Sequence, residues 1–101
     1  MAWVTQKTDL SDVGLAHLEG LTNLTSLNLS VTQVTDAGLK HLQGMADLRT
    51  LYLVNAQVSD AGLKRLEKMT TLRELYSEGT RVTDAGVREL ARALPQVMIW
   101  R

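Results

Sequence analysis

Cysteine is absent from the 101 residues, which excludes disulfide caps, zinc-thiolate sites and thiol catalysis, and fits a reducing compartment. An excess of one charge is missing too. Eleven Lys and Arg balance eleven Asp and Glu, so no long-range field draws phosphate backbones or anionic lipid, and nucleic acid is not an expected partner. No apolar run approaches the ~20 residues of a membrane span. The opening MAWVTQKTDL has neither the basic start nor the apolar middle of a signal peptide. The expectation is a cytoplasmic protein without membrane attachment. Phosphate-binding loops of the GxxxxGK or GxGxxG kind are also lacking. What the chain has is apolar side chains: at 45% hydrophobic it can fold as one domain over 1–101.

Those apolar residues recur. Asp12, Asp36, Asp60 and Asp84 stand at equal intervals, a 24-residue step, and each is followed two positions later by glycine, at Gly14, Gly38, Gly62 and Gly86. A chain that repeats four times at a fixed step is a stack of units, each burying its apolar face on the next. One register runs through LTNLTSLNLSVTQVTDAGLKHLQGM from Leu21, ADLRTLYLVNAQVSDAGLKRLEKM from Ala46 and TTLRELYSEGTRVTDAGVRELARAL from Thr70, with half-repeats at both ends and one extra residue between Leu90 and Val97.

Within a unit the hydrophobic period switches. Leu27 and Leu29, like Leu51 and Leu53, alternate with other residues as in a half-buried strand, whereas Leu39, Leu42 and Met45, and Leu63, Leu66 and Met69, recur every three residues as one stripe of a short helix. Thr35, Ser59, Thr83 and Ser11 sit where such a helix needs an N-cap oxygen, and the aspartate after each suits the positive end of the helix dipole. These aspartates are read as structural, since catalytic acids would not be copied at every turn of a scaffold. Glycine early in a helix costs ~1 kcal/mol against alanine, so its use at each unit implies a close approach by the neighbouring turn.

The pattern LxxLxLxxTxVTDAGLxxLxxM resembles a leucine-rich repeat, and it is most similar to the short, helix-bearing bacterial repeats rich in VTDAGL; the ending GVRELARALP resembles the GALA-type variant. The resemblance implies an α/β fold: a right-handed solenoid with a parallel β-sheet on the concave side and four α-helices on the convex side. It also implies binding of other proteins by the concave face. Where many family members carry an asparagine ladder this chain has Thr8, Thr32, Ala56 and Thr80, so the turn at Ala56 is expected to be less well tied. Geometry alone requires the same bend, because strands stack about 4.8 Å apart and packed helices about 8 to 10 Å.

On the outward face of that sheet the register forms columns: Ser26, Thr50 and Glu74; Val4, Asn28, Tyr52 and Tyr76; and Gln6, Ser30, Val54 and Glu78. Tyr52 and Tyr76 become neighbours. Flanked by Val54 and ringed by Asn28, Thr50, Asn55, Glu74 and Glu78, they join rigid apolar area to hydroxyls, the mixture enriched where proteins recognise proteins. Tyrosine's ordinary strand preference accounts for the pair equally well. If the face binds, the two glutamates call for a basic or amide-rich partner. Five strands of about five residues offer roughly 400 Å², about half of one side of a standard interface.

The ends support a second reading. Allowing for the extra residue, Trp3 and Trp100 are expected in the core column of Leu27, Leu51 and Leu75, as caps on a stack whose terminal units need covering. Ser77 takes a place held elsewhere by Leu29 and Leu53. Unpaired edge strands at 2–5 and 97–101 could instead pair with another copy, giving a structural or self-associating unit, whether natural, engineered or excised from a longer array.

Chemistry is hard to find. His17 and His41 share a helix column about 10 Å apart, too far to share a zinc ion, and no hydroxyl is placed beside a histidine to serve as a nucleophile. Glu74 and Glu78 lack a readable general-acid environment. The reading is of a non-enzymatic module, without cofactor or metal, that holds a protein or peptide on its sheet; homo-oligomerisation through the terminal edges is the alternative.

Overall fold

The computed structural model of the chain describes residues 3–4, 12–16, 24–30 and 33–101. Five short strands, β1 (Trp3–Val4), β2 (Ser26–Asn28), β3 (Thr50–Tyr52), β4 (Glu74–Tyr76) and β5 (Met98–Trp100), form one parallel sheet in sequence order. Parallel neighbours need a crossover, and each crossover carries one helical segment: α1 (Asp12–Ala16), a 3₁₀ helix (Asp36–Gly44), α2 (Asp60–Arg65) and α3 (Asp84–Ala93). Helical segments pack on their sequence neighbours just as the strands do.

The core lies between the sheet and the helical layer. Leu27, Leu51 and Leu75 are the middle residues of their strands and are fully buried, as are Leu24, Leu29, Leu48, Leu53 and Leu72 at the strand approaches and exits. From the other layer come Leu39, Leu42, Met45, Leu63, Leu66 and Leu90. Each such leucine removed from water contributes about 1.5–3 kcal/mol. The strand residues on either side of the central leucine are only half-buried, so one face of the sheet is packed and the other meets solvent.

Four α-helices are not what the described residues contain: there are three, and the fourth helical segment is 3₁₀. The apolar spacing accounts for it. Leu39, Leu42 and Met45 are three apart, and a helix with three residues per turn stacks them on one line. Tight i−3 bonds follow, from the Gly38 N–H to Thr35 O (3.0 Å) and from the Met45 N–H to Leu42 O (2.9 Å). α2 ends the same way, with the Leu66 N–H on Leu63 O and the Met69 N–H on Leu66 O.

The repeated aspartates do more than face a dipole. The Asp12 carboxylate accepts from the Thr35 N–H (2.8 Å) and hydroxyl (2.5 Å); Asp36 takes the same pair from Ser59 (2.7 and 2.5 Å), and Asp60 from Thr83 (2.8 and 2.5 Å). Each bond pair ties one repeat to the next. The expectation of N-caps needs correction on this point. Thr35 and Ser59 make no side-chain cap, and their hydroxyls donate to the preceding aspartate instead; Thr83 does both, donating to Asp60 and accepting from the Gly86 N–H at 3.3 Å. Ser11 lies outside the described residues.

The glycines make room for this clamp. A Cβ on Gly38, Gly62 or Gly86 would overlap the Oδ1 of Asp12, Asp36 or Asp60 in turn, which is the close approach that the sequence implied. At Ala56 the turn keeps its backbone bond, from the Ala56 N–H to Leu53 O at 2.9 Å. It lacks the hydroxyl that Thr80 donates to Ser77 O (2.6 Å). Thr8 and Thr32 lie outside the described residues.

Candidate functional site: a ring stack on the open sheet face

The strands meet in the register Ser26↔Thr50↔Glu74↔Met98, Leu27↔Leu51↔Leu75↔Ile99 and Asn28↔Tyr52↔Tyr76↔Trp100. Tyr52 and Tyr76 are therefore direct neighbours, as the repeat step requires. Trp100 is not a core cap: it continues the tyrosine column, and Ile99 takes the core position. The physical reason lies beside the extra residue. Val97 closes the last turn as Leu72 does, its N–H on Leu94 O, but Leu75 stands three positions after Leu72 and Ile99 only two after Val97. The insertion is cancelled before the strand begins.

At the other end the register also differs from expectation. Trp3 pairs with Ser26 and Val4 with Leu27, so Trp3 aligns with the Ser26 column and Val4 with the leucine column; the step between these strands is one residue shorter than the repeat. Gln6 and His17 lie outside the described residues.

The outcome is a continuous stack of three rings across β3, β4 and β5. Tyr52 and Tyr76 have centroids 4.6 Å apart and planes 9° from parallel; Tyr76 and Trp100 are 4.5 Å apart at 6°. Strand spacing dictates the distance, since side chains on adjacent strands start about 4.8 Å apart. Tyr76, in the middle, has both faces covered. Burial, first, and then the charges of Glu74 and Glu78 and the Tyr52 phenol raise its hydroxyl above the ordinary value of 10.0.

Carboxylates flank the rings. Glu74 accepts from the Thr50 hydroxyl at 3.0 Å, and Glu78 holds a buried Oε1 without a hydrogen-bond partner. Among the described residues neither belongs to an ion pair; the salt bridge formed there joins Arg101 to Asp84 in the end repeat. The other expected site residues have different employment. The Asn28 Oδ1 accepts from the Ser30 N–H (3.0 Å), and the Val54 N–H donates to the buried Ser30 hydroxyl (3.0 Å). Asn55 turns the chain with φ 59° and abuts Gly79, at φ 75°. Asn28 and Asn55 thus shape turns beside the rings. Ser77, fully buried, donates its N–H (2.7 Å) and hydroxyl (2.9 Å) to Trp100 O, which anchors the last ring.

Sequence reasoning missed two residues of this face, Trp100 and Met98. A signal for both existed, because each stands one full step after its predecessor, Tyr76 and Glu74. Elsewhere a shallow cavity of about 260 Å³ is lined by Asp12, Ala16, Ala37, Lys40 and His41, but its one carboxylate is already bonded to Thr35. Among the described residues no group of three or more His, Cys, Asp or Glu comes together.

A leucine-rich-repeat family model matches residues 20–42, the stretch that contains β2 and most of the 3₁₀ helix. Comparison with curated proteins by sequence gives no match. Among solved structures, the chain is similar to one of Chaetomium Mex67:Mtr2 subunits, with a TM-score of 0.72 at 17% identity over 91% of this chain and 76% of that one. It is also similar to the internalin InlF of Listeria monocytogenes, with a TM-score of 0.58 at 23% identity over 85% of this chain. It spans 30% of that internalin's length. At these identities the likeness is one of fold.

Proposed function

From the premise that the chain is a leucine-rich-repeat protein, we propose that it is an interaction module holding a protein or peptide on the open face of its sheet, the hollow side of a right-handed solenoid. The observation that carries this reading is the stack of Tyr52, Tyr76 and Trp100. Rings locked face to face lose little side-chain entropy when a partner arrives, and they offer a rigid apolar ridge tipped with polar atoms. Their flanks are anionic. Glu74 and Glu78, which lie beside the rings, favour a segment that brings Lys, Arg or amide donors to the ridge. Leucine-rich-repeat domains generally serve in protein–protein interaction, and the strand and helix spacings support a bend with the sheet inside.

The area is small, roughly half of one side of a standard interface, so the affinity expected of this face alone is modest. The test is quantitative affinity capture from the source cell with wild type and with the double variant Tyr52→Ser/Tyr76→Ser. Proteins held by the sheet face are lost from the variant, while its Tm stays within a few degrees of wild type. Undiminished capture by a folded variant refutes the reading.

A further inference from the structure

The ring stack has an inner end. Tyr52 lies against Tyr76 with one face, and its other face looks toward β2, a strand paired on both sides. What lies there is therefore set within the chain. The register places Asn28 at the next position of the column, flanked along its own strand by Ser26 and Ser30. All three side chains are short. An asparagine reaches no further than the near carbons of a tyrosine ring on the neighbouring strand, so the outer part of the Tyr52 ring rises above β2 as a wall. Asn28 is also held down, because its Oδ1 accepts from the Ser30 N–H (3.0 Å) and the amide is drawn along the strand.

The notch beside this wall has a definite chemistry. The Thr50 hydroxyl spends its proton on Glu74 Oε1 (3.0 Å), so it turns lone pairs to an incoming donor. Asn28 Oδ1 accepts one hydrogen bond and has a second lone pair. Among the described residues the outward columns carry the carboxylates of Glu74 and Glu78 and no Lys or Arg. Arg73, at the approach to β4, turns its guanidinium to Thr70 O (3.3 Å), toward the turn that precedes the strand.

We propose that this notch is a stacking site for an arginine of the bound segment, whose guanidinium lies flat on the open face of Tyr52 above Asn28 and adds a fourth layer to the ring stack. The site rests on the sheet-face reading and gives it a specific side chain. Spacing allows it, since one strand step of about 4.8 Å is inside the ~6 Å reach of a cation over a ring centroid. Planarity favours arginine over lysine: a guanidinium sets its flat face on the ring while its N–H donors spread in the plane, toward the Thr50 and Asn28 oxygens. Charge favours it over an aromatic ring, which would cover those oxygens without supplying donors and would gain nothing from the carboxylates.

NMR titration of the ¹⁵N-labelled 101-residue chain tests the site with a hexapeptide of alternating Gly and Arg, taken to about 10 mM because a contact this small binds near the millimolar range. Three analogues carry Lys, citrulline or Tyr in place of Arg. Citrulline keeps the planar group and loses the charge. The largest shifts are expected at the Asn28 and Tyr52 amides, with the arginine methylene protons moved upfield by the ring, and the Arg peptide should bind about three- to tenfold more tightly than any analogue. Tyr52→Phe keeps the ring face and should keep this preference, whereas Tyr52→Leu should abolish it with the circular dichroism spectrum unchanged. No shifts at 10 mM, shifts centred elsewhere, equal or tighter binding of an analogue, or a preference that survives Tyr52→Leu overturns the proposal. The sheet-face reading is judged separately, by the capture experiment, in which partners that lack arginine count equally.

Discussion

Replacing Gly62 by alanine is a small change with a large expected effect. On an exposed helix the substitution would gain about 1 kcal/mol from propensity. Here the new Cβ would overlap Asp36 Oδ1 and stand 2.9 Å from both Leu39 Cδ1 and Val58 Cγ1. The leucine and valine are buried, so any shift they make works against packed neighbours. The carboxylate has to swing away, and it then forfeits the N–H and hydroxyl of Ser59. Two charge-assisted hydrogen bonds in a half-buried setting come to about 2–3 kcal/mol, and crowding of the two aliphatic side chains adds about 1–2 kcal/mol. Less the propensity gain, the net loss is about 2–4 kcal/mol, which for a chain of this length lowers Tm by roughly 10–20 °C. Urea unfolding followed by circular dichroism measures it. Gly44→Ala is the control, since nothing lies within 4 Å of its Cβ, and its midpoint should stay level or rise slightly. In Asp36→Ala/Gly62→Ala the losses should be less than additive, because the carboxylate is already gone. A Gly62→Ala protein whose stability matches wild type refutes the argument that the glycine exists to admit the carboxylate.

One further outcome follows from the same junctions and another from the turn at Gly79. The Thr83 hydroxyl and N–H hold the Asp60 carboxyl below its ordinary value of 3.8; a depressed acid contributes stability above its unfolded pKa, and that contribution is lost as pH falls through the folded one. Acid unfolding midpoints should therefore show stability level above about pH 5 and declining below it, with a shallower decline in Thr83→Val, and an identical acid limb in that variant would count against the clamp. Gly79→Ala places a side chain at φ 75° against Asn55 Oδ1 and should cost about 1–3 kcal/mol in urea unfolding; Asn55→Gly in the same chain should recover part of it, and the absence of recovery would show that the collision is not the cause.

Much of this architecture was legible because a repeat declares its own register. The 24-residue step places Thr50 opposite Glu74 and Tyr52 opposite Tyr76, and the alternation of leucines names the buried face of each strand. What escapes the pattern does so for physical reasons. Carrying the insertion ahead of Val97 through to the strand puts Trp100 one column off, whereas the chain cancels that insertion in the approach to Ile99. The first strand is off by one place because the step into β2 falls one residue short of the repeat. The clamp is invisible to capping rules, which look three positions ahead within one helix, while Asp36 bonds a hydroxyl in the next repeat. A three-residue apolar spacing suits both an α-helical stripe and a 3₁₀ line, so pattern alone does not resolve the segment from Asp36. Two of the three stacked rings are visible in the sequence; the third depends on the insertion.

The aspartate clamp bears on how such a chain changes length. Its acceptor and its donors lie in adjoining units, so any whole unit copied into the array arrives with a carboxylate for the unit after it and a hydroxyl for the unit before it. Duplication of one complete unit therefore joins without adjustment at either seam, and repeats that interact only with their neighbours tolerate the added copy. A duplication somewhat shorter or longer than a unit would leave an aspartate facing the wrong side chain. The polar junction acts as a ruler for gene-level growth, permitting expansion in whole units while the sheet face between the seams is free to vary.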